Sequence, residues 1–366
     1  FRRDDPSLWR FTSVFTAFAG AMFGLVLADN LLALYVFWEL TTIFSYTLIG
    51  HNPVRSANRR SATQALLVTT FGGLAMLVGT IILGETASYS ISELLADPPP
   101  AGTLTTVAVV LVLVGALTKS AQIPFHFWLP GAMAAPTPVS AYLHAASMVK
   151  AGVYLVALLA PAFAGATGWH ETVLVLGITT MLLGGWRALR QYDVKLLLAY
   201  GTVSQLGFLL VVFSIGTRAA ALAGVAMLLA HAVFKATLFL VVGIVDHQTG
   251  TRDLRQLSGV GRAAPVVLVT ALVAGASMAG LPPLLGFLGK EAVFTALLDV
   301  AHAGDRSDLS AAAGWLVLVG VILGSVLTVA YTARFLWGTF ATKRDVPSPD
   351  VAPTRVGFLA APAQLA

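Results

Sequence analysis

Residues 104–135 read LTTVAVVLVLVGALTKSAQIPFHFWLPGAMAA, and the architecture of the rest can be worked out from them. The run is apolar enough to enter a bilayer, yet Lys119 stands well inside it. It is also longer than the roughly 20 residues that one straight membrane helix needs. Pro124 and Pro130, with Pro136 and Pro138 just beyond, remove backbone donors and clash with the preceding turn. The stretch therefore predicts a membrane helix broken beside a lysine. A tilted helix with an ordinary proline kink is the plainer alternative, since membrane helices tolerate proline.

Composition agrees. Of 366 residues, 57% are hydrophobic and 11% charged, and the mean hydropathy is +0.83, outside the range of soluble domains. There is no cysteine, which excludes disulfides, thiolate metal sites and cysteine nucleophiles together. The net charge of +5 lies mostly in short loops, so it reports membrane topology and not nucleic-acid binding. The chain opens at Phe1 with no signal-peptide pattern over Phe1 to Asp5, and reads as a fragment of a longer polypeptide.

Ten crossings are marked, near 11–29, 31–50, 61–84, 104–135, 137–161, 172–189, 194–216, 219–245, 263–298 and 312–340. Barrel strands would alternate polar and apolar residues, so the fold is an all-α integral membrane bundle. With alternate loops on alternate sides, Arg2, Arg3, Arg10, Arg55, Arg59, Arg60, Arg187, Arg190, Lys195, Arg252, Arg255, Arg262, Lys343, Arg344 and Arg355 fall on one side. Only Arg218 and Arg306 fall on the other. The positive-inside rule then places both termini in the cytoplasm. Trp169, Trp186, Trp315 and Trp337 fall where an interfacial aromatic belt would be.

The crossing at 263–298 is also overlong and carries Pro282 and Pro283. It is the ninth and 104–135 the fourth, so both hold the same place in successive blocks of five. Five is odd, so the second block is inverted, the plan of many ion-coupled transporters. This divides the chain into a first five-helix repeat (1–161), a second inverted repeat (162–340) and a linker or the start of a further segment (341–366).

Ionisable residues inside a membrane are costly and usually line ion or proton paths. Glu39 has no basic neighbour in sequence; a pairing with Lys119 would make a proton-releasing switch, or else a static ion pair. Lys119 lies where unwound backbone would admit water, snorkelling to an interface being the alternative. His144 and Lys150 are roughly 240° apart on a regular helix and cannot share one narrow face; His144 can also be a packing residue. His231 and Lys235 stand at i and i+4 as a proton relay. Metal-binding spacing is missing. Lys290 follows the second break, with snorkelling again the alternative and Glu291 a candidate partner. No phosphate loop, nucleophile elbow or His-Glu-x-x-His is present.

The run PFHFWLPGAMAAPTPVSA at 124–141, continuing through His144 to MVKAGVYL at 148–155, resembles the signature of antiporter-like subunits. These are shared by respiratory complex I and the multisubunit Mrp-type sodium/proton antiporters. FWEL at 37–40, HAVFKA at 231–236 and GLPP at 280–283 are similar to the same family. Lys150 and GTRDL at 250–254 look more like the A-type subunits of Mrp antiporters than the largest pumping subunit of complex I, which usually has a neutral residue in place of Lys150. The resemblance implies a bacterial plasma-membrane transporter subunit, not an enzyme, working with other subunits of an antiporter complex on protons and sodium. It implies no cofactor. Glu39 with Lys119 would gate one half-channel, His144, Lys150, His231 and Lys235 would form the central axis, and Lys290 would stand at the exit of the second half-channel. The alternative is a proton-pumping membrane subunit of a complex I-like NADH-quinone oxidoreductase.

Overall fold

A computed structural model describes residues 7–303, 309–348 and 356–365; Arg2, Arg3, Arg306 and Arg355 lie outside these. Its helices are α1 (Leu8–Leu27), α2 (Leu31–Ile49), α3 (Ser56–Thr86), α4 (Ile91–Ala96), α5 (Thr103–Lys119), α6 (Thr137–Phe163), α7 (Trp169–Leu189), α8 (Val194–Ser214), α9 (Arg218–Thr249), α10 (Pro265–Ala279), α11 (Leu285–Ala303), α12 (Ala311–Phe340) and α13 (Val356–Leu365). Among the described residues no strand forms, only two isolated bridges. Eight helices among the described residues are long and apolar enough to cross a membrane. The shorter apolar α5 and α10 are the first parts of the two interrupted crossings.

Both interruptions follow from local sequence. α5 stops at Lys119, where Ala121 takes a φ of 50°, and the chain goes on in single turns through Phe125–Phe127, Trp128–Gly131 and Ala132–Ala134. α10 stops on Gly280, whose φ of +86° is the left-handed conformation glycine adopts at a helix end. Pro282 and Pro283 then postpone the next helix to Leu285.

Packing places α8 at the centre: nearly all of its residues are buried, against only Phe18, Ala21 and Leu25 on α1. It touches α6, α7, α9 and α12. A helix that is apolar all round belongs in such a position. Two similar clasps tie the turns together. In one, Leu31 N donates to Tyr89 O and Ile91 N to Asp29 O; in the other, Val194 N donates to Arg252 O and Leu254 N to Tyr192 O. The residue numbers of the two sets differ by a constant offset. In each clasp the capping residue of a helix, Asn30 for α2 and Asp193 for α8, sits at the bridge.

Several sequence expectations are corrected. α3 runs from Ser56 to Thr86, beyond the apolar run at both ends. Trp169 is 1% exposed and donates from Nε1 to Ser214 O, so it packs inside and is no part of a belt, whereas Trp186, Trp315 and Trp337 remain exposed. α6 is not a regular helix: Ser140–Ala146 is wound as a π-helix and Met148–Lys150 as a 3-10 turn. Beyond α12, the Lys343 ammonium donates to the carbonyls of Leu254, Leu257 and Gly338.

Candidate functional site

The first break is organised around Lys119. Its side chain is fully buried and donates to Trp38 O at 2.9 Å and Thr42 Oγ1 at 2.7 Å on α2. The ammonium also lies 5.0 Å from the centre of the Trp38 ring, a cation–π distance. Trp128 Nε1 donates to Thr118 O at 2.9 Å and so ties the turns beyond the break back to the end of α5. Ser120 Oγ donates to Val149 O at 2.8 Å, which joins the break to α6 beside Lys150.

Glu39 does not form a direct ion pair with Lys119 among the described residues, although the two are electrostatic neighbours. Its carboxylate instead lies in the space left by Gly73 on α3, where any added Cβ would meet Oε1. That oxygen is buried without a hydrogen-bond partner in the protein. The two members of the expected switch are thus electrostatic neighbours without a direct ion pair.

His144 is fully buried in the π-wound part of α6, edge-on to Trp128 at 6.2 Å and within electrostatic range of Lys195. Ser147, whose N and Oγ both donate to Tyr142 O, ends the π segment. Counting 100° per residue therefore fails between His144 and Lys150. Lys150 reaches α9 and donates to Leu228 O at 3.1 Å. It also forms part of the wall of an otherwise mostly apolar cavity of about 430 Å³ between α1, α6 and α9.

On α9, His231 and Lys235 are both fully buried. Lys150 and Lys235 each lie within electrostatic range of His231. Lys235 Nζ donates to Leu198 O at 3.2 Å and stands 5.6 Å from the Tyr331 ring centre. Gly201 makes room for it, since a Cβ there would come 2.9 Å from Nζ. Gln205, Thr328 and Tyr331 form a hydrogen-bonded cluster next to it.

Lys290 is 7% exposed and donates to Ala279 O at 2.9 Å, the last residue of α10. It turns into the break and does not snorkel. Glu291 is exposed, and no ion pair joins it to Lys290 among the described residues. Both interrupted crossings therefore carry a buried lysine whose ammonium donates to a backbone carbonyl, that of Trp38 inside α2 for Lys119 and that of Ala279 at the end of α10 for Lys290.

Both ring nitrogens of His144 and of His231, together with Ser140 Oγ, Gln122 Oε1 and Gln205 Oε1, are buried without a protein hydrogen-bond partner. Buried polar atoms of this kind are the ones internal water satisfies. No group of three or more acidic or histidine side chains that could hold a metal occurs among the described residues.

Residues 28–304 match the family model described as NADH:quinone oxidoreductase/Mrp antiporter, TM. The chain belongs to this family. It is 47% identical over 96% of its length to a probable K(+)/H(+) antiporter A/B-type subunit of Rhizobium meliloti, and covers 35% of that protein. It is 44% identical over 92% of its length to the A-type Na(+)/H(+) antiporter subunit of Bacillus subtilis, and covers 44% of it. A chain in the structure of the Mrp complex from Dietzia sp. DQ12-45-1b superposes with a TM-score of 0.86 at 42% identity, over 96% of this chain and 38% of the other. The chain thus spans less than half the length of these relatives.

Within this antiporter-like chain, sequence reasoning missed Lys195. Its place next to Arg187, Arg190 and Asp193 put it among loop residues, but it is 1% exposed and donates to Ala135 O at 2.6 Å. The signal was available: Asp193 caps α8, which places Lys195 inside the helix and inside an apolar run. Trp38, Thr42 and Tyr331 were not singled out either. Nothing marks an aromatic or hydroxyl residue in an apolar helix as the partner of a distant lysine.

Proposed function

We propose that this chain is the proton-translocating part of an A-type subunit of a multisubunit monovalent cation/proton antiporter of the plasma membrane. Protons move along Glu39, Lys119, His144, Lys150, His231, Lys235 and Lys290, with Lys195 beside His144. One observation carries this: the buried lysines and histidines are linked from the first break through α6 and α9, and ring nitrogens along the way lack protein partners. A static scaffold has no need of that, because buried charges are costly and apolar residues would pack as well. Its role is transport and not chemical conversion of a substrate, with sodium as the exchanged cation and other subunits as obligate partners. The names of its relatives support the antiporter assembly over a complex I-like one.

Two inverted repeats, 1–161 and 162–340, would frame the path. The paired clasps support the division, since the same backbone pairing recurs at equivalent places in the two blocks. Both ends of the chain are assigned to the cytoplasm by the distribution of arginine.

The test is sodium-dependent proton flux in vesicles holding the complete complex. Lys119→Ala and Lys235→Ala abolish the flux while the complex still assembles. Full flux in both variants would falsify the relay.

A further inference from the structure

Away from the path, a pocket of about 280 Å³ opens where the first turns of α1 meet the connection between α2 and α3. Arg10, Arg59, Thr47 and His51 form its polar rim, and Phe11 and Tyr46 contribute to an apolar floor. No carboxylate lines it among the described residues. From Asn30 to Gly84 the only acidic residue in the sequence is Glu39, which stands elsewhere, in the middle of α2.

The rim is held in place by the chain itself. Arg59 donates to the carbonyls of Pro53 and Val54, and Arg10 to His51 O at 3.5 Å. His51 is set between the Ser7 hydroxyl and the edge of Phe11. Each guanidinium has five N–H donors, and backbone carbonyls take only a few of them. Such a fork matches phosphate oxygens in geometry and charge. Beside the pocket, Trp9 is 71% and Val54 86% exposed. A tryptophan at this level is what a bilayer interface favours, and the apolar floor is of no use to a free anion.

We propose that this pocket binds the phosphate of an anionic phospholipid, Arg10 and Arg59 pairing with the headgroup while Phe11 and Tyr46 take the glycerol and upper acyl chain. The site is independent of the proton path. Basic residues at a membrane surface gain about fivefold in affinity each from anionic lipid.

The test uses the full-length subunit in its assembled complex, reconstituted with photoactivatable phosphatidylglycerol, with the crosslinks mapped by peptide mass spectrometry. The expected result is labelling within residues 46–62 that excess phosphatidylglycerol competes away and phosphatidylcholine does not. The double variant R10Q/R59Q loses it about tenfold or more, R10K/R59K, which keeps the charge but not the planar fork, falls between that variant and the unaltered protein, and R60Q, which alters an exposed arginine outside the pocket, leaves it unchanged. Equal competition by phosphatidylcholine, equal loss in R60Q, or displacement by inorganic phosphate alone would overturn the assignment. So would an absence of labelling in the assembled complex, which would mean that a neighbouring protein segment covers the pocket.

Discussion

Lys119 can be separated into what it does for stability and what it does for transport. Its acceptor Trp38 O also receives Thr41 Oγ1 at 2.7 Å and Thr42 Oγ1 at 3.3 Å, so removing the ammonium leaves no unsatisfied carbonyl. Without an ion-pair partner, a buried ammonium carries a desolvation cost that an apolar side chain of similar volume does not. Lys119→Met in the full complex is expected to leave thermal stability unchanged or raised, while proton flux falls by about a hundredfold or more, the scale of a lost proton-transfer group. A parallel drop in stability and flux would give the residue a structural role instead. The buried lysines were legible because a charge in an apolar run needs no three-dimensional information to be noticed. Their partners were not, because those of Lys150, Lys235 and Lys290 are backbone carbonyls, and no residue type announces one. Lys195 stands at the edge of an apolar run, where the same letter serves for a loop cation or a buried one.

At the scale of elements, the two breaks were readable from proline, whereas the π-wound stretch of α6 was not. Ser140–Ala146 contains neither proline nor glycine, and it packs chiefly against α9. The second break offers a test of backbone geometry. Gly280→Ala forces an alanine into the left-handed region at about 1–2 kcal/mol and sets its Cβ 2.7 Å from Lys290 Cδ, so both stability and flux should fall. Gly20→Ala, with nothing within 4 Å of the added methyl on α1, should be neutral or stabilising by up to about 1 kcal/mol. Thermal unfolding of the two variants side by side checks this. The clasp of the first block carries a pH signature. Asp29, in the turn before α2, is held below the ordinary carboxylate range, first by the Ser92 hydroxyl and then by the Ser92 amide, with Ser90 adding to them. A depressed folded value means the contribution is complete above the ordinary Asp range and is lost as pH falls through the depressed one. Hydrogen exchange at the Ser92 amide should accelerate on acidification across that window. Asp29→Asn should remove that pH dependence.

For the whole molecule, the long apolar runs were legible because each crossing needs one whatever its neighbours do, and among the described residues the structure forms eight helices long and apolar enough to cross, with the shorter apolar α5 and α10 beside them. What sequence could not show is that α8 is enclosed and α1 peripheral, because both runs are similarly apolar and only packing tells them apart. Orientation still rests on arginine counts, and the chain suits a direct test because it has no cysteine of its own. Val54 in the α2–α3 connection, Ala101 before α5 and Gln256 after α9 are all exposed. A single cysteine at each site, in the full-length subunit within its complex, gives three thiols whose sidedness the arginines dictate. Val54→Cys and Gln256→Cys should react with a membrane-impermeant maleimide only from the cytoplasmic face, and Ala101→Cys only from the opposite face. Val54 and Gln256 belong to different blocks, so their agreement also tests the parity of the crossings between them. If they labelled from opposite faces, the inverted division at 161/162 could not stand, however well each half packs.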